Sequence, residues 1–150
     1  MKLLFRGQIR RYGEKVNVLG DKLPGKWVYG GVLQGNCSHS IIYGTKEIGL
    51  QKVKQYPVYT DTLGQYVQIN DVNEKPIFTG DIVVFETSQY KFKPCYVNYS
   101  NEHARFVVQR GKKTYPMDSN FKYEIIGNIH DNSKLTEEIK KGDEFEDEWN

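Results

Sequence analysis

The sequence predicts a mainly β protein, an all-β barrel or sandwich carrying one terminal helix. Three observations predict it. Short runs rich in β-branched and aromatic residues alternate with polar neighbours. Turn-forming clusters of Gly, Pro, Asn and Asp recur roughly every ten residues. Only the stretch near residues 134–141 has apolar residues at helical spacing.

The elements follow in order. Residues 3–11 open with Leu3-Leu4-Phe5 and Ile9, a short strand ending in basic residues. Val16 and Val18 mark a second short strand, and residues 20–25 a turn. Lys26–Gly30 is rich in aromatic and β-branched residues, and Gly30-Gly31 marks a bulge or a close backbone approach. Residues 35–40 form a loop before a strand at Ile41-Ile42-Tyr43, and alternation continues weakly through Ile48, Leu50 and Val53. A new unit begins around Pro57–Gly64. The chain thus divides into residues 1–58, residues 59–133, and a short helix with an acidic tail over 134–150.

In the second half Gln65–Ile69 alternates, and Asn70–Lys75 is turn-rich. Pro76-Ile77-Phe78 is extended, because Pro fixes φ and donates no hydrogen bond. Thr79-Gly80-Asp81 turns tightly into Ile82–Phe85, four consecutive apolar residues that fit a strand buried on both faces. Tyr90–Tyr99 alternates, placing Tyr90, Phe92 and Pro94 on one face and Lys91 and Lys93 on the other. Ala104–Gln109, the basic turn Arg110–Lys113 and Tyr123–Ile126 complete the strand pattern. Ser133 caps a helix over 134–141, with Leu135 and Ile139 on one face and Gly142 as its stop. Glu137 and Glu138 sit near its N-terminal turn and Lys140 and Lys141 near its C-terminal turn, as the helix dipole favours. Residues 143–150 are expected to fray, with Phe145 and Trp149 able to dock.

Composition bounds the function. The chain has 150 residues, 38% of them apolar and 27% charged, with 11 Tyr. A chain of this size buries roughly two-thirds of its unfolded surface and needs no staples. Two cysteines, Cys37 and Cys95, are too few for a disulfide framework. Arg6 interrupts any leader-like apolar run, and no stretch approaches the ~20 apolar residues that span a bilayer. The expectation is a soluble protein of a reducing cytoplasm with no membrane partner. The net charge of +2 hides an asymmetry: residues 131–150 hold three Lys and eight Asp or Glu, so residues 1–130 carry +7 and the tail −5. Such a body meets polyanions, with the tail competing for the same surface, or else the tail is a solvated solubility segment.

Two long phrases carry a family resemblance. The first is Leu63-Gly-Gln-Tyr-Val-Gln-Ile-Asn-Asp-Val-Asn-Glu-Lys-Pro-Ile-Phe-Thr-Gly-Asp-Ile-Val83, and the second is Ile125-Ile-Gly-Asn-Ile-His-Asp-Asn132, continuing to Leu135. With Phe5-Arg6-Gly7 and Trp27-Val28-Tyr29-Gly30, they resemble the YopX family of phages and prophages of Gram-positive bacteria. Its members read V-G-Q-Y-T-G-L-x-D-x-N-G-x-x-I-Y-E-G-D-I-V and V-I-G-N-I-Y-D-N-P-E-L. Here Val67-Gln68-Ile69 stands for T-G-L and Asn73-Glu74 for N-G, so Glu74 falls where the family's glycine suits a positive φ. Ser133 stands where the family has Pro, and Pro76 stiffens the return strand. The resemblance implies an SH3-like β-barrel over about residues 60–132, packed with the N-terminal β-rich lobe. It implies no enzymatic activity, and a setting in the cytoplasm of a bacterial host.

Candidate sites are few. Gly80-Asp81 reads as a structural turn, since no base or metal ligand neighbours it. Cys37, His39, Cys95 and His103 offer thiol and imidazole ligands, but lack the close Cys–Cys and His–His pairing of structural zinc sites. No phosphate loop, dinucleotide fingerprint or nucleophile elbow is present. No cofactor and no catalytic residue is expected. Tyr90, Lys91 and Lys93 interleave aromatic and cationic groups, as nucleic-acid surfaces do. Arg105, Arg110, Lys112 and Lys113 would extend that patch, and Arg6, Arg10 and Arg11 would neutralise phosphates. The bland reading makes the aromatics core and the lysines wet face. The leading expectation is a non-enzymatic accessory protein that binds a host or phage macromolecule through its β surface. Strand edges and abundant Tyr also favour homo-oligomers. The alternative is a nucleic-acid-binding module with the tail as competitor, and an enzyme ranks last.

Overall fold

A computed structural model describes residues 1–10, 26–36, 38–47, 50–142 and 146–147. The described residues form antiparallel sheets with one short helix, the mainly β class that the patterning predicts. The chain splits into two compact units, Met1–Gln65 and Tyr66–Asn150.

The first unit contains β1 (Phe5–Gln8), β2 (Trp27–Gln34), β3 (His39–Glu47) and β4 (Leu50–Val58), hydrogen-bonded in the order β4-β3-β2-β1. β2 pairs with β1 through Gly30 and with β3 from Gly31. The Gly30-Gly31 pair therefore marks a change of partner within an unbroken strand, not a bulge. Ile9, Ile41, Tyr56 and Val58 are buried and form the apolar core of this unit. Gly7 has no side chain because the Val58 methyls would lie 2.9 Å from its Cβ. A 3₁₀ turn at Thr60–Thr62 closes the unit. The buried Thr62 hydroxyl donates to the Tyr59 carbonyl at 2.6 Å and accepts the Gln8 N–H at 2.9 Å. The opening strand is shorter than expected, and Leu3 lies outside it, exposed. The strand and turn expected over 16–25 lie outside the described residues.

β5 (Gly64–Asn70) leads from the first unit into the second, where its later residues pair with β6 (Pro76–Phe78). The second unit continues with β7 (Asp81–Glu86), β8 (Lys91–Ser100), β9 (Arg105–Arg110), β10 (Lys113–Pro116), β11 (Lys122–Asn128), α1 (Ser133–Lys140) and β12 (Glu146–Asp147). Its sheet runs β10-β9-β8-β7-β11, with β12 added to β8. This is where the sequence places an SH3-like barrel. The hydrogen-bonded order is open, and the outer strands meet through side chains. Tyr115 of β10 and Phe121 just before β11 lie 6.0 Å apart, and both pack on Phe85. Phe85 stacks on Phe92 at 4.0 Å and on Tyr123 at 5.3 Å, so an aromatic row crosses β8, β7 and β11. Around it Val67, Ile77, Val83, Cys95, Val97 and Val108 complete the core.

Two bulges set which side chains enter that core. Val83 opposes Cys95 and Phe85 opposes Phe92, so β8 carries one extra residue at Lys93-Pro94. Phe92, Cys95 and Val97 consequently all face inward, and Pro94 does not share the face of Phe92 as simple alternation predicts. On β11 the pairs Val83–Ile125 and Ile82–Gly127 leave Ile126 as the extra residue, 40% exposed.

The helix differs from expectation at its start. It begins at Ser133, and Asn132 takes the cap position, so Ser133 is not the cap. The Asn132 side chain turns back instead and accepts the Asn128 N–H at 3.0 Å. Its amide lies over Gly127, where any Cβ would overlap it. With this start, no acidic residue lies in the first turn. Glu137 and Glu138 sit mid-helix and give the dipole no N-terminal support. Ile139 and Thr136 are the buried helix residues, and Leu135 is half-buried. The segment after the helix does not simply fray: Glu146 and Asp147 pair with Phe92 and Lys91. Phe145 and Trp149 lie outside the described residues.

Candidate binding surface

The two long phrases of the sequence meet in the second unit, and their polar residues hold backbone. Asp71 is buried. Its Oδ1 accepts the N–H groups of Asn73 and Lys75, each at 2.9 Å, and its Oδ2 accepts the Ile125 N–H at 3.2 Å. The Val72 N–H donates to the Tyr123 carbonyl. Asp81, 2% exposed, accepts the Phe78 N–H at 2.8 Å through Oδ2. Gly80 at φ 92 makes the turn that allows this, and its carbonyl accepts the Ile129 N–H. The Gly80-Asp81 corner is thus a joint between strands.

The thiol and imidazole groups are scattered by the fold. Cys95 is fully buried and directs its thiol at the Val83 carbonyl, 3.5 Å away. Burial pushes that thiol up to about 12, with Arg110 opposing the shift. It is therefore neutral near pH 7 and a poor nucleophile. His39 Nδ1 contacts the Thr60 hydroxyl at 3.1 Å in the first unit. His103 stands exposed beside Glu102 in the β8–β9 turn. Cys37 lies outside the described residues. Among the described residues no group of three His, Cys, Asp or Glu is gathered as metal ligands would be.

The tentative basic surface comes apart in space. Arg6 is buried, with its guanidinium 4.6 Å from the Trp27 ring centroid. Arg110 is 8% exposed, and its Nη1 donates to the Pro94 carbonyl at 2.6 Å. Both are structural arginines, because the sheet folds their stems under neighbouring residues; neither belongs to an open patch. Arg10 is half-buried, and Arg11 lies outside the described residues. Arg105 is exposed but faces Ser100, at the far end of β8 from Lys91. At 3.3 Å per residue, the two ends are about 30 Å apart. Tyr90, Lys91, Lys112 and Lys113 are exposed and Lys93 is half-exposed.

Strand register assembles a group that no sequence pattern announces. Lys122 on β11 opposes Glu86 on β7, Glu86 opposes Lys91 on β8, and Lys91 opposes Asp147 on β12. Directly opposed residues share a face of the sheet. The register therefore forms a row of alternating charge across four strands. The adjacent row is the aromatic one, Tyr123, Phe85 and Phe92, with Glu146 at its end. These partners lie up to 61 residues apart in the chain, so only register brings them together.

Exposed apolar residues form the remaining surface feature. On β2, Tyr29 and Leu33 are 48% and 50% exposed, at alternate positions that share a face with Gly31. In the second unit Val72 and Ile126 are also exposed. Among the described residues no helix is long and apolar enough to cross a membrane.

Comparison with known proteins gives one family. The model of the family described as YopX protein matches residues 21–137, more than half of the chain. The comparison with curated proteins produced no match.

Proposed function

Because the chain belongs to the YopX family, and its buried reactive groups serve the fold, we propose that it is a non-enzymatic binding protein. It engages a host or phage macromolecule through exposed β surface, in the cytoplasm of a bacterial host. The observation that carries this reading is the outward pair Tyr29 and Leu33 on β2. Half-exposed aromatic and aliphatic side chains on a regular strand are typical of the centre of a protein contact. Self-association through strand edges belongs to the same reading, and light scattering over a concentration series tests it.

The test uses the full chain as bait in a lysate of the bacterium that carries the gene, beside the Tyr29→Ser/Leu33→Ser variant. A captured partner is then purified and titrated against both. The reading expects at least a tenfold weaker Kd for the variant, as for loss of contact residues worth about 1.4 kcal/mol or more. Equal affinity for both proteins overturns this surface, and capture that nuclease treatment abolishes overturns the protein-partner reading.

A second reading, nucleic-acid binding, draws on the charge distribution. Residues 1–65 hold ten Lys or Arg against four Asp or Glu, whereas residues 66–130 hold eight against seven. A polyanion would therefore meet the first unit and not the Tyr90–Lys93 strand. A gel shift with DNA and RNA that weakens steeply with salt supports this reading, and no shift at low salt ends it.

A further inference from the structure

β8 is longer than the strand that flanks it. β9 covers it only from Tyr96 to Ser100. Beyond that, β7 lies on one side, opposite Phe92 and Lys91. The other side is taken by Glu146 and Asp147 of β12, over two residue pairs. The stretch is bounded at both ends. At one end the Pro94 carbonyl is held by Arg110. At the other the Thr87 N–H closes the hairpin on the Tyr90 carbonyl. What lies between is a short length of strand edge that fits a segment of three to five residues, at ~3.3 Å per residue.

We infer that the β8 edge from Lys91 to Lys93 is a strand-addition site for an extended acidic peptide segment, and that the chain's own acidic tail is an internal ligand holding it closed. The inference rests on the binding-protein reading above and names one of its surfaces. An unpaired strand edge accepts an incoming strand through backbone hydrogen bonds, and side-chain rows select which strand. Here the selecting row is Lys122, Glu86 and Lys91, whose outer end calls for a carboxylate; Asp147 stands at that position. The tail supplies eight Asp or Glu within residues 131–150. Its ladder of two pairs is much shorter than the five pairs joining β8 to β9. A contact this short persists because the tail is tethered, at an effective concentration on the order of millimolar. α1 provides the tether: the Gly111 N–H donates to the Ile139 carbonyl, and the Arg110 side chain lies against Gly142. An acidic segment of a partner protein would displace the tail and take over its register.

The experiment keeps the chain at full length and opens the edge with Glu146→Pro/Asp147→Pro, since Pro cannot join a ladder. The probe is a fluorescein-labelled peptide of residues 142–150, read by anisotropy, with circular dichroism and melting confirming the fold of each variant. The opened variant is expected to bind the peptide at least ~10-fold more tightly than the unaltered chain, because only a minority of unaltered molecules present a free edge. Backbone N-methylation of the peptide at the positions of Glu146 and Asp147 should abolish binding. Adding Lys91→Glu to the opened variant should weaken it several-fold. Equal affinity of the unaltered and opened chains overturns the proposal. So does undiminished binding of the N-methylated peptide, which would mean charge attraction without strand addition. A dimer of the unaltered chain that the Pro pair abolishes assigns the edge to a second copy, and likewise overturns it. Failure here leaves the Tyr29/Leu33 test standing, because that test reads a strand of the first unit.

Discussion

Three residues outside glycine occupy the left-handed backbone region: Gln68 at φ 69, Glu74 at φ 63 and Ala104 at φ 52. Two of them stand where the family phrase carries glycine. The Glu74 position was legible in the sequence, and the structure shows that the backbone keeps its positive φ. Gln68 carries the same signature in the same phrase, and simple alternation of Gln65–Ile69 masked it. A left-handed conformation costs a non-glycine residue about 1–2 kcal/mol, partly offset by the greater unfolded-state freedom of Gly. Glu74→Gly should therefore raise stability by about 0.5–1 kcal/mol in urea titration, and Gln68→Gly should act in the same direction. A loss in either variant would show that the side chain contributes more than the strain it imposes. Asp71 predicts the opposite kind of outcome. Its carboxylate serves three N–H groups. Asp71→Ala strands these donors and should cost ~3 kcal/mol or more, whereas Asp71→Asn keeps one acceptor and should cost less. Comparable losses in both would place the effect in the carboxylate charge.

At the scale of elements, the helix depends on its neighbours. Its eight residues are too few to be stable alone. Ile139 in the core and the Gly111 bond to its carbonyl hold it in place. Gly111 has φ 59, and a Cβ there would drive into the Gly142 carbonyl. Gly111→Ala is thus expected to cost at least ~1–2 kcal/mol. Its first sign should be lost amide-exchange protection across Ser133–Lys140, while β7 and β8 stay protected. Uniform loss across the sheet would show that helix and sheet open as one. The strands themselves were largely legible, because alternation and turn residues act within a few positions. The bulges at Lys93-Pro94 and Ile126 were not. Each is an offset between two strands, which neither strand alone encodes.

For the whole molecule, burial couples stability to alkaline pH. The Cys95 thiol is pushed up to about 12 by burial. The Tyr123 hydroxyl is also pushed up to about 12, chiefly by burial. Unfolding returns these groups to ordinary values of 9.0 and 10.0. Between those values and about 12 the unfolded chain has lost protons that the folded chain retains. Their contribution is intact below about pH 9 and falls as pH rises toward 12. Urea midpoints from pH 7 to 11 should fall across that window, and the fall should be shallower in Tyr123→Phe. That variant also loses the bond from the Asp118 N–H, which lowers its stability by about 1 kcal/mol at pH 7. A pH slope unchanged by both Tyr123→Phe and Cys95→Ala would remove these groups as its source. Of the candidate surface, Lys91, Lys112 and Lys113 were legible as exposed charge. Arg6 and Arg110 were misread, since a charged residue in a polar-looking turn carries no mark of being folded beneath its neighbours.

The sequence by itself determined the β class, the turn corners, the family and the charge imbalance between body and tail. All of these are carried by residue type and spacing over short stretches. Only the tertiary structure decided which charges meet: the row from Lys122 to Asp147, the burial of two arginines, and the return of the tail to the edge of β8. The physical reason is that strand register joins residues distant in the chain. Their pairing is selected by the packing of the whole sheet, and no local pattern records it.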